Sequence, residues 1–189
     1  MLSNKDRQTL LSLARESIQY GLANGQPLTV NIQNYSADLQ QHRASFVTLH
    51  KQGQLQGCIG NLEANQALVN AISNNAFNAA FRDPRFPPLQ ANEFEQLHIH
   101  IEILTPPKPI QFSSEQDLLA QLQPGKDGLI LSEGMHRGTF LPTVWQSLPE
   151  PEQFLFHLKN KAGLPSDYWS DNIKVQRYHT ESFEVEPDS

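Results

Sequence analysis

The chain has 189 residues, of which 38% are hydrophobic, and its formal net charge at pH 7 is −6. This hydrophobic content is enough for one sizeable domain or for two small lobes that share a core, and it excludes a disordered chain. The 14 basic residues are scattered and are outnumbered by 20 acidic residues. The chain therefore lacks the basic stripe that binding to nucleic acid would require.

The N-terminus and the cysteine content predict a cytoplasmic protein. Lys5, Asp6 and Arg7 place charges where a secretory signal needs an apolar stretch. No apolar segment approaches the roughly 18 residues that a membrane span requires. The single cysteine, Cys58, cannot form an intramolecular disulfide, which agrees with a reducing compartment. We therefore expect no membrane partner and no nucleic-acid partner.

The first half of the chain predicts two helices and a β-hairpin. Apolar residues recur at helical spacing from residue 3 to about residue 22, and Ser3 can cap this helix. Residues 28–35 suggest only a short strand or an extended connection. Two β-type runs, 44–49 and 55–59, flank a polar turn and predict the hairpin.

The next helix is predicted to begin at Asn65 and to end before Asp83 and Pro84, because the residue before a proline avoids helical geometry. After it, residues 97–103 alternate between apolar and polar types and predict a strand with one polar face. The remaining predicted elements are a short helix at 114–122, a second hairpin from 129–131 and 138–141, a helix at 151–162, and a last strand at 173–178 before a polar tail.

These elements predict the fold class. Helices and hairpins are mixed, without a regular alternation of strand and helix. We therefore expect an α+β protein with antiparallel sheets and flanking helices rather than a doubly wound parallel sheet.

Cys58 is the first candidate for site chemistry. It lies between Gly57 and Ile59-Gly60, and the glycines allow a close approach of ligand or backbone. Strand alternation places Gln56, Cys58 and Gly60 on one face. A nucleophilic thiol needs a nearby base or cation, and the sequence places none close to it. The alternative is that Cys58 is a small buried residue with a structural role.

The segment Arg82-Asp83-Pro84-Arg85 is the second candidate. Two guanidinium groups around a proline turn can bind a carboxylate or a phosphate through forked hydrogen bonds. Asp83 can instead pair with one of the arginines in an internal salt-bridge network. Both interpretations remain open at this point.

Two further groups of residues are candidates for a site. His98, His100 and Glu102 point the same way from one strand and match the content of a two-histidine, one-carboxylate iron site. The simpler interpretation is the solvated face of an amphipathic strand, and we expect no metal. Thr139, together with aromatic residues such as Trp145, could line a pocket or belong to the core.

Four segments of the chain together resemble the AMMECR domain family. The hexapeptide Leu-Gln-Gly-Cys-Ile-Gly at 55–60 is similar to the family signature Leu-Arg-Gly-Cys-Ile-Gly. The second segment is Ala-Ala-Phe-Arg-Asp-Pro-Arg-Phe-Pro-Pro-Leu at 79–89. The third, at 128–145, consists of the predicted second hairpin followed by Leu-Pro-Thr-Val-Trp, and the fourth is the predicted helical segment at 154–164. Gln56 replaces the arginine of the family signature, so a bidentate anion contact is absent at that position.

The resemblance implies a single domain over residues 1–189 with a larger lobe from both chain ends and a smaller internal lobe, each containing an antiparallel sheet. It implies no particular reaction and no cofactor. We expect a cleft between the lobes that binds a small or peptide-like ligand, with Cys58 as a nucleophile or covalent tether in an enzymatic version. The ligand-binding residues would be Gln56, Gly57, Gly60, Arg82, Asp83, Arg85 and Thr139. The alternative is a non-catalytic interaction module for a radical-SAM or Memo-like protein of the same pathway.

Overall fold

The structure is a computed structural model and describes residues 1–185. It contains helices and two four-stranded antiparallel sheets, which confirms the predicted α+β class. Two compact units are present. The first comprises Met1–Leu104 together with residues 181–185, and the second comprises Thr105–Thr180. The expectation of a larger and a smaller lobe within one domain stays a prediction.

The first unit contains one four-stranded sheet and three helices. Its first helix begins where the sequence predicts, because the Ser3 hydroxyl accepts a hydrogen bond from the Asp6 N–H at 3.1 Å. The strand order is β2-β1-β3-β8. The helices are α1 (Asn4–Asn24), α2 (Ala37–Gln40) and α3 (Leu68–Phe81), and the strands are β1 (Ser45–Lys51), β2 (Gln54–Asn61), β3 (Leu97–Leu104) and β8 (Thr180–Val185).

One face of this sheet packs on α1 and α3 to form the core of the first unit. The packing is close at Gly57, where an added Cβ would lie 1.9 Å from the Ala79 carbonyl oxygen of α3. Strand β2 therefore rests directly on the helix backbone. The apolar side chains of this core are fully or nearly fully buried and include Leu10, Leu13, Ile18, Val47, Leu49, Leu68, Ile72, Ile99 and Ile101.

The second unit has its own sheet and core. Its strand order is β4-β7-β5-β6. Phe154 lies at the centre of the core, stacked on Trp145 at 3.8 Å between ring centroids and in edge contact with Phe140 at 5.3 Å. The elements are β4 (Lys108–Pro109), α4 (Glu115–Gln121), β5 (Gly128–Glu133), β6 (His136–Phe140), α5 (Pro151–Lys161) and β7 (Lys174–Tyr178).

Residues 28–35 form a connection without a strand, one of the two possibilities predicted, and contain a short 3₁₀ turn, Ile32–Asn34. Two sequence predictions differ from the structure. Helix α3 begins at Leu68 rather than at Asn65. The predicted polar tail contains strand β8, whose Phe183 and Val185 pack against the first core although polar residues separate them. The rest of that tail lies outside the described residues.

No helix among residues 1–185 combines the length and the apolar character needed to cross a membrane. Residence in the cytoplasm stays a prediction.

We expect Gly57→Ala to lower the free energy of unfolding by at least about 2 kcal/mol, because the new methyl group would overlap the backbone of α3. Urea denaturation measures this loss. The matched control is Gln56→Ala on the same strand, which should change the stability by less than about 0.5 kcal/mol. Equal stabilities of the two variants would show that β2 does not rest on α3 as described.

Candidate functional site

The two signature segments meet at the edge of the first sheet. Strand β2 is an edge strand, and the Cys58 N–H donates a hydrogen bond to Asp83 Oδ2 at 3.0 Å. The Cys58 carbonyl accepts a hydrogen bond from Arg85 Nη2 at 3.3 Å. Side chains thus satisfy both backbone groups of Cys58 that a neighbouring strand would otherwise pair.

Asp83 and Arg85 hold each other in a bidentate ion pair, which we call the Asp83–Arg85 clasp. Arg85 Nε donates to Oδ1 at 3.0 Å and Nη2 donates to Oδ2 at 2.7 Å. The backbone N–H of Arg85 donates to the same carboxylate at 3.1 Å. The hydrogen bonds from Arg85, followed by that from Cys58, hold the pKa of Asp83 well below its usual range despite burial. The internal salt bridge considered from the sequence is therefore present.

Arg85 is fixed at one end and open at the other. The Asp83 side chain is 2% exposed, whereas the Arg85 side chain is 57% exposed. The Arg85 guanidinium lies 5.2 Å from the ring centroid of Phe86, and its Nη1 donates to no residue in the described part of the chain. A guanidinium that is held in place and still has free donors can bind an anion without losing much side-chain entropy.

The Cys58 thiol is partly exposed and lies on the sheet face opposite α3. Its sulfur accepts a hydrogen bond from Thr48 Oγ1 at 3.1 Å. Thr48 pairs with Cys58 on one side and with His100 on the other, so the three residues form one row across the sheet. The strand spacing separates the backbones of Cys58 and His100 by about 9–10 Å. Within residues 1–185, no imidazole or ammonium group hydrogen-bonds to the sulfur.

The polar face predicted for β3 carries a histidine–carboxylate network. His100 Nδ1 lies 3.2 Å from Glu184 Oε2, and its Nε2 lies 3.4 Å from Glu102 Oε1. His98 Nε2 lies 3.1 Å from the same Glu184 oxygen. Glu102 and then Glu184 raise the pKa of His100, while burial and the neighbouring histidines lower the pKa of His50. Among the described residues, no group of three or more His, Cys, Asp or Glu side chains is placed to hold a metal ion.

The remaining predicted residues of the first unit lie near the clasp but do not join it. Gln56 makes no side-chain hydrogen bond within residues 1–185. Arg82 stacks over the Phe77 ring at 5.1 Å rather than pairing with Asp83. Gly60 makes room for Phe46, since an added Cβ would lie 2.5 Å from that ring.

Thr139 belongs to the second unit. Its hydroxyl donates to the Leu129 carbonyl at 2.9 Å and lies 3.3 Å from the Tyr178 hydroxyl. Trp145 is buried and donates from Nε1 to the Asp127 carbonyl at 2.8 Å, so it is a core residue.

Sequence reasoning missed Thr48 and Glu184. The register of the first hairpin contains the signal for Thr48, because pairing 45–51 with 54–61 places Thr48 opposite Cys58. The sequence contains no signal for Glu184, because the strand that carries it is short and rich in polar residues.

We expect Asp83→Asn to lower the free energy of unfolding at pH 7 by about 2 kcal/mol, because an amide cannot accept all the hydrogen bonds that Arg85 and the Cys58 N–H donate to the buried carboxylate. The pKa of Asp83 is lower in the folded state, so the clasp contributes its full stability above the unfolded value of about 3.9. This contribution is lost as the pH falls below about 4 toward the lowered folded pKa. Urea denaturation across this range measures the effect. The exposed Asp38→Asn serves as control, and parallel pH profiles for wild type and Asp83→Asn would contradict the prediction.

NMR titration of the histidine ring protons tests the network. We expect a pKa above about 6.5 for His100 and below about 6.5 for His50. Glu184→Gln should lower the pKa of His100, because the variant removes one of its two carboxylate partners. Glu16→Gln, on α1, should leave it unchanged. An unaltered His100 titration in Glu184→Gln would show that β8 does not place its carboxylate there.

Comparison with known proteins assigns the chain to a family. A protein from Methanothermobacter thermautotrophicus is 35% identical over 188 residues, which cover 96% of this chain and 95% of that protein. A protein from Thermotoga maritima is 39% identical over 149 residues, covering 77% of this chain and 80% of that protein. The crystal structure of an uncharacterised protein from Pyrococcus horikoshii matches with a TM-score of 0.87 and 32% identity, covering 98% of this chain and 95% of that one. The AMMECR1 family model matches residues 11–183, and the chain belongs to the AMMECR1 family.

Proposed function

We propose that this protein binds a small or peptide-like ligand that carries a carboxylate or another anionic group, at the surface formed by Arg85 and Cys58. The observation that carries this proposal is the Asp83–Arg85 clasp. It fixes one edge of the guanidinium on a buried carboxylate and on the Cys58 carbonyl, and it leaves the other edge exposed. The remaining nitrogen, Nη1, carries two N–H donors and shares the positive charge, so it can donate to an oxygen of a carboxylate or phosphate.

The surroundings support a site that is formed before the ligand arrives. Gly57 brings β2 onto α3. Helix α3 ends at Phe81, and its C-cap residue, Arg82, directly precedes Asp83. The backbone on both sides of the clasp is therefore held by the core of the first unit. Binding then needs little ordering of the protein, which favours affinity.

Binding is favoured over catalysis because the thiol lacks an adjacent base. Thr48 donates a hydrogen bond to the sulfur, and His100 lies two strands away. Acid–base chemistry on a bound ligand requires a group within hydrogen-bond reach. In this proposal Cys58 contacts the ligand, and its sulfur is a site for covalent capture rather than a complete catalytic centre.

Alkylation of Cys58 with two reagents of similar size tests the proposal. Iodoacetate is an anion and iodoacetamide is neutral, and both react only with the single cysteine of the chain under mild conditions. We expect the ratio of the iodoacetate rate to the iodoacetamide rate to exceed that of the uncharged thiol N-acetylcysteinamide by about threefold or more, because Arg85 attracts the anion. Mass spectrometry of the intact protein gives both rates.

Variants of the two arginines supply the controls. Arg85→Gln should reduce the ratio, and Arg85→Lys should retain part of it because the charge remains. Since Arg85→Gln also leaves the negative charge of Asp83 unpaired, the double variant Asp83→Asn/Arg85→Gln removes both charges and should give the ratio of the free thiol. Arg82→Gln, at the residue next to Asp83 in the chain, should leave the ratio unchanged, because Arg82 stacks on Phe77 rather than pairing with Asp83. A wild-type ratio equal to that of the free thiol would contradict anion binding and favour the interaction module.

A further inference from the structure

The second unit contains a cavity at the edge of its sheet, where the chain after β4 separates from β7. Its volume is about 560 Å³, within the usual range for small-molecule sites. The pairing of β4 with β7 covers only Lys108 and Pro109, followed by one hydrogen bond from the Ile110 N–H to the Val175 carbonyl at 2.9 Å. Residues of both segments line the cavity.

The walls combine an apolar surface with polar side chains that have no protein partner. Ile110, Phe112, Ile173 and Val175 supply the apolar part. Gln111, Ser132, Asp171, Lys174 and Gln176 also line the cavity, and none of their side chains makes a hydrogen bond or ion pair with any residue from 1 to 185. Gln111, Asp171 and Lys174 are exposed to solvent and can therefore reach a ligand, and polar groups beside apolar ones in one concavity are typical of a ligand pocket.

The charges of Asp171 and Lys174 indicate which class of ligand the cavity can bind. Asp171 lies in the turn three residues before Lys174, the first residue of β7, and the two oppositely charged side chains are not paired with each other. A ligand that satisfies both carries one cation and one anion, and the apolar wall with Phe112 accommodates a hydrocarbon or aromatic part. An α-amino acid with an apolar side chain has this combination of groups.

We infer that this cavity binds an α-amino acid with an apolar side chain, whose carboxylate pairs with Lys174 and whose ammonium pairs with Asp171. The site is separate from the Cys58 surface and does not depend on the function proposed for it. Gln111, Gln176 and Ser132 supply further hydrogen bonds to the two charged groups of the ligand. Phe112, which lies 5.6 Å from Trp169 between ring centroids, contacts the side chain of the amino acid.

The two tryptophans provide a built-in readout in ¹H–¹⁵N NMR spectra. The chain has only two indole N–H groups, one in Trp169 beside a cavity residue and one in Trp145 within the core. We expect titration with L-phenylalanine, L-leucine or L-methionine to shift the Trp169 signal in a saturable way below about 10 mM for at least one of the three, while the Trp145 signal stays in place. The indole signal that disappears in Trp169→Phe belongs to Trp169, and the one that remains belongs to Trp145.

Blocked ligands and charge variants complete the test. N-acetyl-L-phenylalaninamide lacks both charges and should not produce the saturable shift. Lys174→Ala and Asp171→Asn should each weaken binding by about tenfold or more, because each removes a charged hydrogen-bond partner. The exposed controls Lys126→Ala and Asp167→Asn should bind as the wild type does. No saturable shift with any of the three amino acids, equal binding of the blocked compound, or unchanged affinity in both cavity variants would each overturn the inference.

Discussion

The candidate site depends on the hydrogen bonds of one buried carboxylate, that of Asp83. Burying a charge without partners costs several kcal/mol, so this side chain can be buried only because it accepts four hydrogen bonds. One donor is the backbone of Cys58 and three are groups of Arg85. The same carboxylate therefore closes the free edge of β2 and orients the guanidinium. Removing it would disturb both the sheet edge and the candidate ligand site.

Close packing between strand and helix makes this arrangement possible. Because Gly57 has no side chain, β2 rests on the backbone of α3 near Ala79. The chain leaves α3 only a few residues later, and a turn closed by the Phe86 N–H on the Asp83 carbonyl follows at 3.1 Å. This geometry brings residue 83 beside residue 58 although 25 positions separate them. The glycine thus has a structural role, and the chemistry belongs to its neighbours.

Local patterns explain which parts of the molecule were predictable. Helices α1 and α5, the first hairpin and strand β3 follow from periodicity and capping residues that lie within each element. The Asp83–Arg85 pair was anticipated as one of two interpretations, because its members are two residues apart. Strand β8 was missed because it is polar and short, and because its place beside β3 comes from contacts distant in sequence, such as the pairing of Glu181 with Arg7 at 2.8 Å.

The contact between Cys58 and Asp83 had no signature in composition or periodicity. It arises from the way β2 packs on α3, and sequence patterns do not encode that packing at the level of single side chains. The row of Cys58, Thr48 and His100 likewise has no signature in the sequence pattern, because it depends on the register of three strands. The register explains why the histidine nearest in the row is too far away to serve as a direct base for the thiol.

A crystal structure of the protein after alkylation of Cys58 with iodoacetate tests the central claim most directly. The S-carboxymethyl group places a carboxylate next to the exposed side of Arg85. If the clasp forms an anion site, the new carboxylate will be ordered and will lie about 3 Å from Nη1 of Arg85, with the Asp83–Arg85 pair intact. A carboxymethyl group that points into solvent or is disordered, beside an unchanged clasp, would show that the clasp only closes the edge of the sheet.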